Sequence, residues 1–205
     1  MRIRKQVWVA GIILLVIALV AGLWLWKQSA ADQLEIVSDA PDFTLQNLEG
    51  KDVTFSDLKG KTKIVEFIFT NCPDVCPTTT AQLVQIQKQL KEDGLFGKDV
   101  EFVTITFDPE RDTPEVLKKH AEAMGIDQNG WSILRGDVAT TKKVVEDYWV
   151  YAEKQPDGSF IHSSRSLFLI DEKNQIRKIY SMGEEMPREE ILADIKTLEK
   201  GFFSF

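Results

Sequence analysis

The sequence KIVEFIFTNCPDVCP runs from Lys63 to Pro77 and joins a strand pattern to a pair of cysteines. Its first half, Lys63–Thr70, is rich in apolar, β-branched and aromatic residues, which is typical of a strand buried in a sheet. Apolar residues then recur at helical spacing as far as Leu90, and Gly94 follows as a helix terminator. The stretch therefore predicts a central strand, a loop that contains both cysteines, and a helix from Pro77 to about Leu90.

Strand and helix patterns alternate along the rest of the chain. The predicted strands are Val100–Phe107, Trp131–Leu134, Ser166–Asp171 and Ile176–Tyr180. The predicted helices are Pro114–Met124, Thr140–Tyr151 and Pro187–Lys200, and a hairpin is expected at Asp42–Leu45 and Val53–Phe55. Alternation of this kind indicates one α/β domain with a mixed central sheet.

The composition of the chain excludes several classes of protein. The 205 residues carry a net charge of −7, which argues against general binding of nucleic acid, because that needs a basic surface. With only 2 Cys and 2 His, the chain has too few ligands for a Cys₄ zinc site or an iron–sulfur cluster held by four thiolates. Any chemistry of the cysteines must therefore be local and paired.

The N-terminal segment predicts a membrane anchor. Val7–Trp26 is an uncharged run of 20 residues, which as a helix would span ~30 Å, about one hydrocarbon core. Basic residues precede the run, so the positive-inside rule places residues 1–6 in the cytoplasm. Residues 1–31 hold four basic residues and no acid, which leaves a net charge of −11 on the remaining 174. We therefore expect a single-pass protein of the cell membrane, with a tether at 27–40 and a domain at 41–205 outside the cytoplasm.

A cleaved signal peptide is the alternative for this segment. Ser29-Ala30-Ala31 has the small residues of a cleavage site, but the apolar run is longer than the ~7–15 residues usual for a signal peptide. Both interpretations place the domain outside the cytoplasm, where a disulfide can persist.

Cys72 and Cys76 are the first candidates for chemistry, because they lie where the central strand passes into a helix. The helix dipole and the free N–H groups of the first turn stabilise a thiolate at this position. Residues four apart on a helix are neighbours, so the two sulfurs can form a disulfide or bind one soft metal ion. A bridge with only a stabilising role is the alternative, but so small a loop would contribute roughly 2 kcal/mol.

The remaining candidates are polar residues in or near loops. His162 precedes the strand Ser166–Asp171 in a predicted loop, where a histidine by itself most often has a surface role. His120 stands beside two lysines on a predicted helix and is expected to be solvated. Asp108 ends the strand Val100–Phe107 and is a candidate to support a metal ligand from outside the coordination sphere. Asp112 and Thr113 are interpreted as a turn and the N-cap of the next helix.

Three motifs in this order resemble those of the SCO/SenC family. They are FTNCPDVCP at Phe69–Pro77, TFDPERDTP at Thr106–Pro114 and IHSS at Ile161–Ser164. Members of that family are membrane-anchored, thioredoxin-fold proteins that help to assemble the copper A centre of cytochrome c oxidase. The resemblance covers roughly Pro41 to Lys200. It implies an α/β, thioredoxin-like fold with an N-terminal β-hairpin extension, behind one N-terminal transmembrane helix.

The resemblance also implies the site and the partners. Cys72, Cys76 and His162 would bind one copper ion, as Cu(I) or Cu(II), and oxidation to a Cys72–Cys76 disulfide would remove two ligands at once. The implied partners are cytochrome c oxidase subunit II and a separate copper donor. No apolar interface stripe is evident, so we expect a monomer.

Two functional hypotheses follow from these residues. The first is a copper-binding assembly factor without turnover, and the second is a thiol–disulfide oxidoreductase that reduces the copper A cysteines with Cys72 and Cys76 as its redox pair. A general reductase is disfavoured, because thioredoxin-like reductases use C-x₂-C and a cis-proline where this chain has Arg165. A peroxidase is disfavoured because Pro73 replaces the threonine of the peroxiredoxin pattern. For a peroxide-sensing regulator, the sequence indicates no downstream partner.

Overall fold

The computed structural model describes residues 15–22, 34–163 and 167–202, and the chain divides into two compact units, Met1–Leu34 and Glu35–Phe205. In the first unit, residues 15–22 form a helix, α1, and the rest of the predicted anchor lies outside the described residues. Within the described ranges, no helix combines the length and the apolar character needed to cross a bilayer. The anchor at residues 7–26 and the cytoplasmic N-terminus at 1–6 therefore stay predictions.

The second unit is built on a six-stranded mixed sheet and two small hairpins. The strands are β1 (Ser38–Asp39), β2 (Thr44–Gln46), β3 (Asp52–Thr54), β4 (Thr62–Ile68), β5 (Val100–Thr106), β6 (Trp131–Leu134), β7 (Ala152–Lys154), β8 (Phe160–His162), β9 (Leu167–Ile170) and β10 (Gln175–Tyr180). The sheet has the order β1-β10-β9-β4-β5-β6, in which β4, β5 and β6 are parallel and the other neighbours are antiparallel. The hairpins are β2–β3 and β7–β8.

The helices follow the strands as the sequence predicts. They are α2 (Val75–Glu92), α3 (Pro114–Met124), α4 (Val138–Asp147) and α5 (Arg188–Phe202), with short 3₁₀ turns at Phe55–Leu58 and Gly183–Glu185. Helix α3 has the predicted bounds, and the ends of the other three helices differ from the prediction. The Thr113 hydroxyl accepts from the amide of Val116 and caps α3, as predicted. The predicted helix Thr140–Tyr151 is wrong at both ends. It begins early because the Asp137 carboxylate accepts from the Thr140 amide at 2.7 Å, and it ends early because Trp149 has a φ of 55°.

Two strand pairs were missed from the sequence. β1 lies in the predicted tether and pairs with β10 at the edge of the sheet, so residues 38–39 belong to the sheet rather than to a tether. A two-residue edge strand shows no alternation that a sequence could reveal. The β7–β8 hairpin lies between the predicted helix Thr140–Tyr151 and the predicted strand Ser166–Asp171, where no strand was expected. Its strands have three residues each, so they also fall below the length at which a period of two is evident.

An aromatic cluster around Tyr148 forms the core on one face of the sheet. Its ring centroid lies 5.4 Å from those of Phe67 and Phe168 and 6.0 Å from that of Phe43. The buried hydroxyl of Tyr148 donates to the carbonyl of Pro41 at 3.0 Å, which satisfies its polar end. The cluster thus joins the β2–β3 hairpin and the end of α4 to the central strand.

Candidate metal centre

Cys72 and Cys76 lie at the start of α2, at the carboxyl end of the central strand. β4 ends at Ile68, and the amide of Cys72 donates to the carbonyl of Phe69 at 3.2 Å, which turns the chain toward the helix. The amide of Cys76 then donates to the sulfur of Cys72 at 3.4 Å. The Cys72 sulfur therefore accepts a hydrogen bond from one of the free N–H groups of the helix N-terminus, as expected from its position before the helix.

Both thiols are reduced and largely buried. Neither cysteine is in a disulfide, so the Cys72–Cys76 bridge stays a prediction for the oxidised protein. Cys72 lines an open cleft together with Asn71, Pro73 and His162. Cys76 is only 1% exposed, compared with 8% for Cys72. A partner that enters the cleft would therefore reach the sulfur of Cys72 first.

The β7–β8 hairpin brings His162 to the two cysteines. His162 pairs with Ala152, and Tyr151 and Ser163 continue the ladder beyond it, so the histidine belongs to a strand rather than to the predicted loop. Its ring packs against Phe69 at 5.9 Å and Phe107 at 5.6 Å between centroids. These contacts fix the hairpin over the end of the central strand.

The three side chains form one ligand cluster. The sulfurs of Cys72 and Cys76 and a ring nitrogen of His162 all lie within 4.8 Å of one another. His162 Nδ1 lies 3.1 Å from the carbonyl of Ser163, which can only accept, so Nδ1 donates. This bond sets the tautomer, so that in the neutral ring Nε2 carries the lone pair that a metal would use. Two sulfurs and one imidazole suit a soft metal ion and leave room for a further ligand.

The two cysteines have opposite acid–base properties. The hydrogen bond from the Cys76 thiol, together with His162 and the N–H groups at the helix start, lowers the pKa of Cys72 to about 3. The same bond to the Cys72 thiolate, and its own burial, raise the pKa of Cys76. The bond to Cys72 raises the pKa of His162. At neutral pH, Cys72 is therefore a thiolate and Cys76 a thiol.

Asp108 acts on the hairpin rather than on the imidazole. The side chain is 2% exposed, and its carboxylate pairs with Arg111 and lies 3.5 Å from Lys154 Nζ on β7. The Arg111 guanidinium lies over Phe160, 5.7 Å from the ring centroid. The predicted support of a metal ligand by Asp108 is thus indirect, through the strand pair that carries His162.

Two further side chains differ from their predicted roles. His120 was expected to be solvated but is half-buried, and its Nε2 has no hydrogen-bond partner among the described residues. Burial lowers the pKa of this histidine. Asp112, interpreted as a turn residue, is 1% exposed and accepts three hydrogen bonds from Thr70 and Thr106. The sequence carries no signal for these bonds, because Thr70 lies 42 positions away.

The fold and the cluster define a mixed α/β protein with two cysteines and a histidine arranged to hold a metal. The model of the SCO1/SenC family matches residues 32–200. The SCO1 protein homolog of Bacillus subtilis is 34% identical over 161 residues, which cover 76% of this chain and 80% of that protein. The chain therefore belongs to the SCO1/SenC family.

Solved structures of Sco proteins match the fold. Copper-bound ScoI of Arabidopsis thaliana has a TM-score of 0.67 and 30% identity, and the match covers 80% of this chain and 99% of that one. BsSco, a member of the Sco family of cytochrome c oxidase assembly proteins with a disulfide switch, has a TM-score of 0.70 and 30% identity. That match covers 82% of this chain and 98% of BsSco. The mixed α/β fold predicted from the sequence is confirmed.

Proposed function

We propose that this protein binds one copper ion through Cys72, Cys76 and His162 and serves in the assembly of cytochrome c oxidase. In this role it would deliver copper to the copper A site of subunit II, or prepare that site. The observation that supports the proposal is the convergence of two sulfurs and one imidazole nitrogen within 4.8 Å from two separate parts of the fold. Copper-bound structures of related Sco proteins agree with this choice of metal.

The arrangement of the ligands suits transfer better than storage. Three protein ligands leave Cu(I) open to a thiolate of the acceptor, which enters through the cleft beside Cys72. Each new bond from the acceptor replaces one bond to this protein, so copper moves by ligand exchange without a change of oxidation state. Cys76 regains its proton when the metal leaves, because burial and the neighbouring thiolate favour the thiol.

We also propose that the domain works outside the cytoplasm, held by residues 7–26. The supporting observations are the uncharged run of 20 residues and the basic residues that precede it. The net charge of −7 argues against general binding of nucleic acid, which needs a basic surface.

Anaerobic titration of the reduced full-length chain with Cu(I) tests the copper proposal. We expect about one copper per chain with at least micromolar affinity, on the order of −8 kcal/mol or better. His162→Ala should lose most of this affinity. Lys118→Ala is the control, because this side chain is exposed on α3, outside the ligand cluster, and the variant should bind like the wild type. A wild-type chain that binds no copper refutes the proposal.

Reduction of the copper A cysteines is the second candidate function, and the acid–base properties of the pair favour it. The Cys72 thiolate would attack a disulfide of subunit II and form a mixed disulfide. Cys76 would then lose its proton and attack Cys72, which releases the substrate as a dithiol and leaves a Cys72–Cys76 disulfide. His162→Ala separates the two functions, because a pure reductase should keep much of its activity without the imidazole.

A further inference from the structure

The buried carboxylate of Asp112 lies where the carboxyl ends of β4 and β5 meet. The two strands are parallel, and Ile68 on β4 pairs with Thr106 on β5. After β5 the chain turns back, because the amide of Asp112 donates to the carbonyl of Asp108 at 2.9 Å. This turn places the side chain of Asp112 against the first residues of the cysteine loop.

Three donors hold this carboxylate. Oδ1 accepts from the Thr70 hydroxyl at 2.5 Å, while Oδ2 accepts from the Thr70 amide at 3.1 Å and from the Thr106 hydroxyl at 2.5 Å. Among the described residues, no lysine or arginine forms an ion pair with Asp112. A charged group that is 1% exposed is costly to bury, so the hydrogen bonds must be strong and well aligned.

Capping of the next helix does not explain Asp112. The cap of α3 is Thr113, whose hydroxyl accepts from the amide of Val116. An exposed aspartate would satisfy the turn equally well. The bonds of Asp112 instead reach Thr70, and through it the segment that leads to Cys72.

Thr70 lies two residues before Cys72, where the chain leaves β4. Its amide and its hydroxyl both bind Asp112, so the chain leaves β4 in one direction only. Two residues later, the Cys72 sulfur accepts from the Cys76 amide at 3.4 Å and lies within 4.8 Å of the other ligand atoms. The neighbouring Phe69 also packs against the imidazole of His162, with 5.9 Å between ring centroids. One buried carboxylate thus restrains both a sulfur ligand and the aromatic surface beneath the histidine.

We propose that Asp112 is a positioning residue that holds Thr70, and thereby sets the Cys72 sulfur in the geometry that binds copper. The choice of copper as the bound metal rests on the proposed function, whereas the placement of the Cys72 sulfur by Asp112 does not. Groups that orient metal ligands typically contribute on the order of 10- to 100-fold in affinity.

Four variants of the full-length chain test the proposal. Thr70→Val removes the hydroxyl bond and keeps the shape of the side chain, and Asp112→Asn removes the charge. Thr70→Ser is the conservative variant that restores the hydroxyl. Asp137→Asn is the matched control, because Asp137 also accepts from both the amide and the hydroxyl of a threonine, Thr140, but lies outside the cluster.

Copper affinity is the first measurement. Thr70→Val and Asp112→Asn should weaken Cu(I) binding at least about tenfold, while Thr70→Ser and Asp137→Asn should stay within about threefold of the wild type. If Asp112→Asn fails to fold, the copper affinity of Thr70→Val tests the proposal instead. This variant leaves two of the three hydrogen bonds to Asp112 in place, those from the Thr70 amide and the Thr106 hydroxyl. Wild-type affinity in a folded Thr70→Val variant overturns the proposal.

Amide exchange in the metal-free, reduced chain is the second measurement, and it needs no copper. The Cys76 amide should exchange about tenfold faster in Thr70→Val than in the wild type, with the amides of β5 unchanged, because its sulfur acceptor has moved. Thr70→Ser should restore the protection. If the wild type binds no copper, the proposed function fails, and this exchange still decides the role of Asp112. Equal protection of Cys76 in the wild type and Thr70→Val overturns it.

Discussion

Replacement of Glu66 by glutamine should remove a large pH-dependent loss of stability. Glu66 is on β4, and its side chain points toward α2, where Thr80 lies beside it. Oε1 accepts from the Thr104 hydroxyl at 2.6 Å, and that hydroxyl accepts in turn from Trp131 Nε1 at 2.7 Å. Oε2 and the Thr80 hydroxyl have no hydrogen-bond partner among the described residues.

Burial raises the pKa of Glu66 from its ordinary value of 4.5 to about 7. The folded state therefore binds a proton that the unfolded state releases between these two values. The contribution of Glu66 to the free energy of unfolding is therefore greatest below pH 4.5 and falls as the pH rises toward 7. At about 1.4 kcal/mol per pH unit, the loss is roughly 3 kcal/mol. Glu66→Gln does not titrate, and its amide can donate to Thr80.

Urea unfolding of the reduced, metal-free chain at constant ionic strength measures this difference. The stability of Glu66→Gln relative to the wild type should increase by roughly 3 kcal/mol between pH 4.5 and pH 8. Other titrating groups cancel, because both proteins share them. Glu101→Gln is the matched control, since Glu101 lies on the next strand and pairs with Lys61 at 2.8 Å, so its replacement should not stabilise the protein at pH 8. A Glu66→Gln difference that stays constant within about 0.5 kcal/mol across this range refutes the reasoning.

Three other predictions concern the site and the core. Cu(I) affinity should fall as the pH is lowered, toward about tenfold per pH unit, because the metal must displace the proton of Cys76; equal affinities at pH 6 and pH 8 in the same titration would contradict this. Phe160→Ala should weaken copper binding at least about tenfold, because the Phe160 ring packs the strand of His162 against two phenylalanines. Urea unfolding should show a loss of only ~1–3 kcal/mol in the free energy of unfolding. Unchanged copper affinity would show that these ring contacts are not needed for binding. Tyr148→Phe should lose about 1–2 kcal/mol of unfolding free energy, because the carbonyl of Pro41 loses its donor, and an unchanged urea midpoint would argue against that bond.

The sequence predicts the elements whose signals are local. The buried strand before Cys72, the helix after it and the capped helix at Pro114 all appear in the structure close to their expected positions. The position of Cys72 at a helix N-terminus is also a local property, and so is the four-residue spacing to Cys76. Short strands carry too few residues for a periodic signal, which is why β1 and the β7–β8 hairpin were missed.

The residues of the site likewise differ in whether their position follows from local sequence or from tertiary contacts. His162 entered the sequence analysis as a ligand only through the resemblance of three motifs, because nothing near it in the chain indicates a metal. Its approach to Cys72 depends on a hairpin that crosses the end of the sheet, and on ring contacts with Phe69 and Phe107. Asp108 was expected to act on a ligand, but its ion pairs hold the hairpin instead.

The amino-acid sequence by itself determined that two cysteines lie where a central strand passes into a helix, because the strand and helix signals on either side of them are local. It also determined the α/β alternation that places this start at the carboxyl end of a central strand. Only the tertiary structure decided which distant residues meet there. Asp112 reaches Thr70 across 42 positions because β4 and β5 are parallel neighbours, and sheet pairing at that distance depends on the packing of the whole domain. The acid–base contrast between Cys72 and Cys76 arises in the same way, from burial and contacts that exist only in the folded chain.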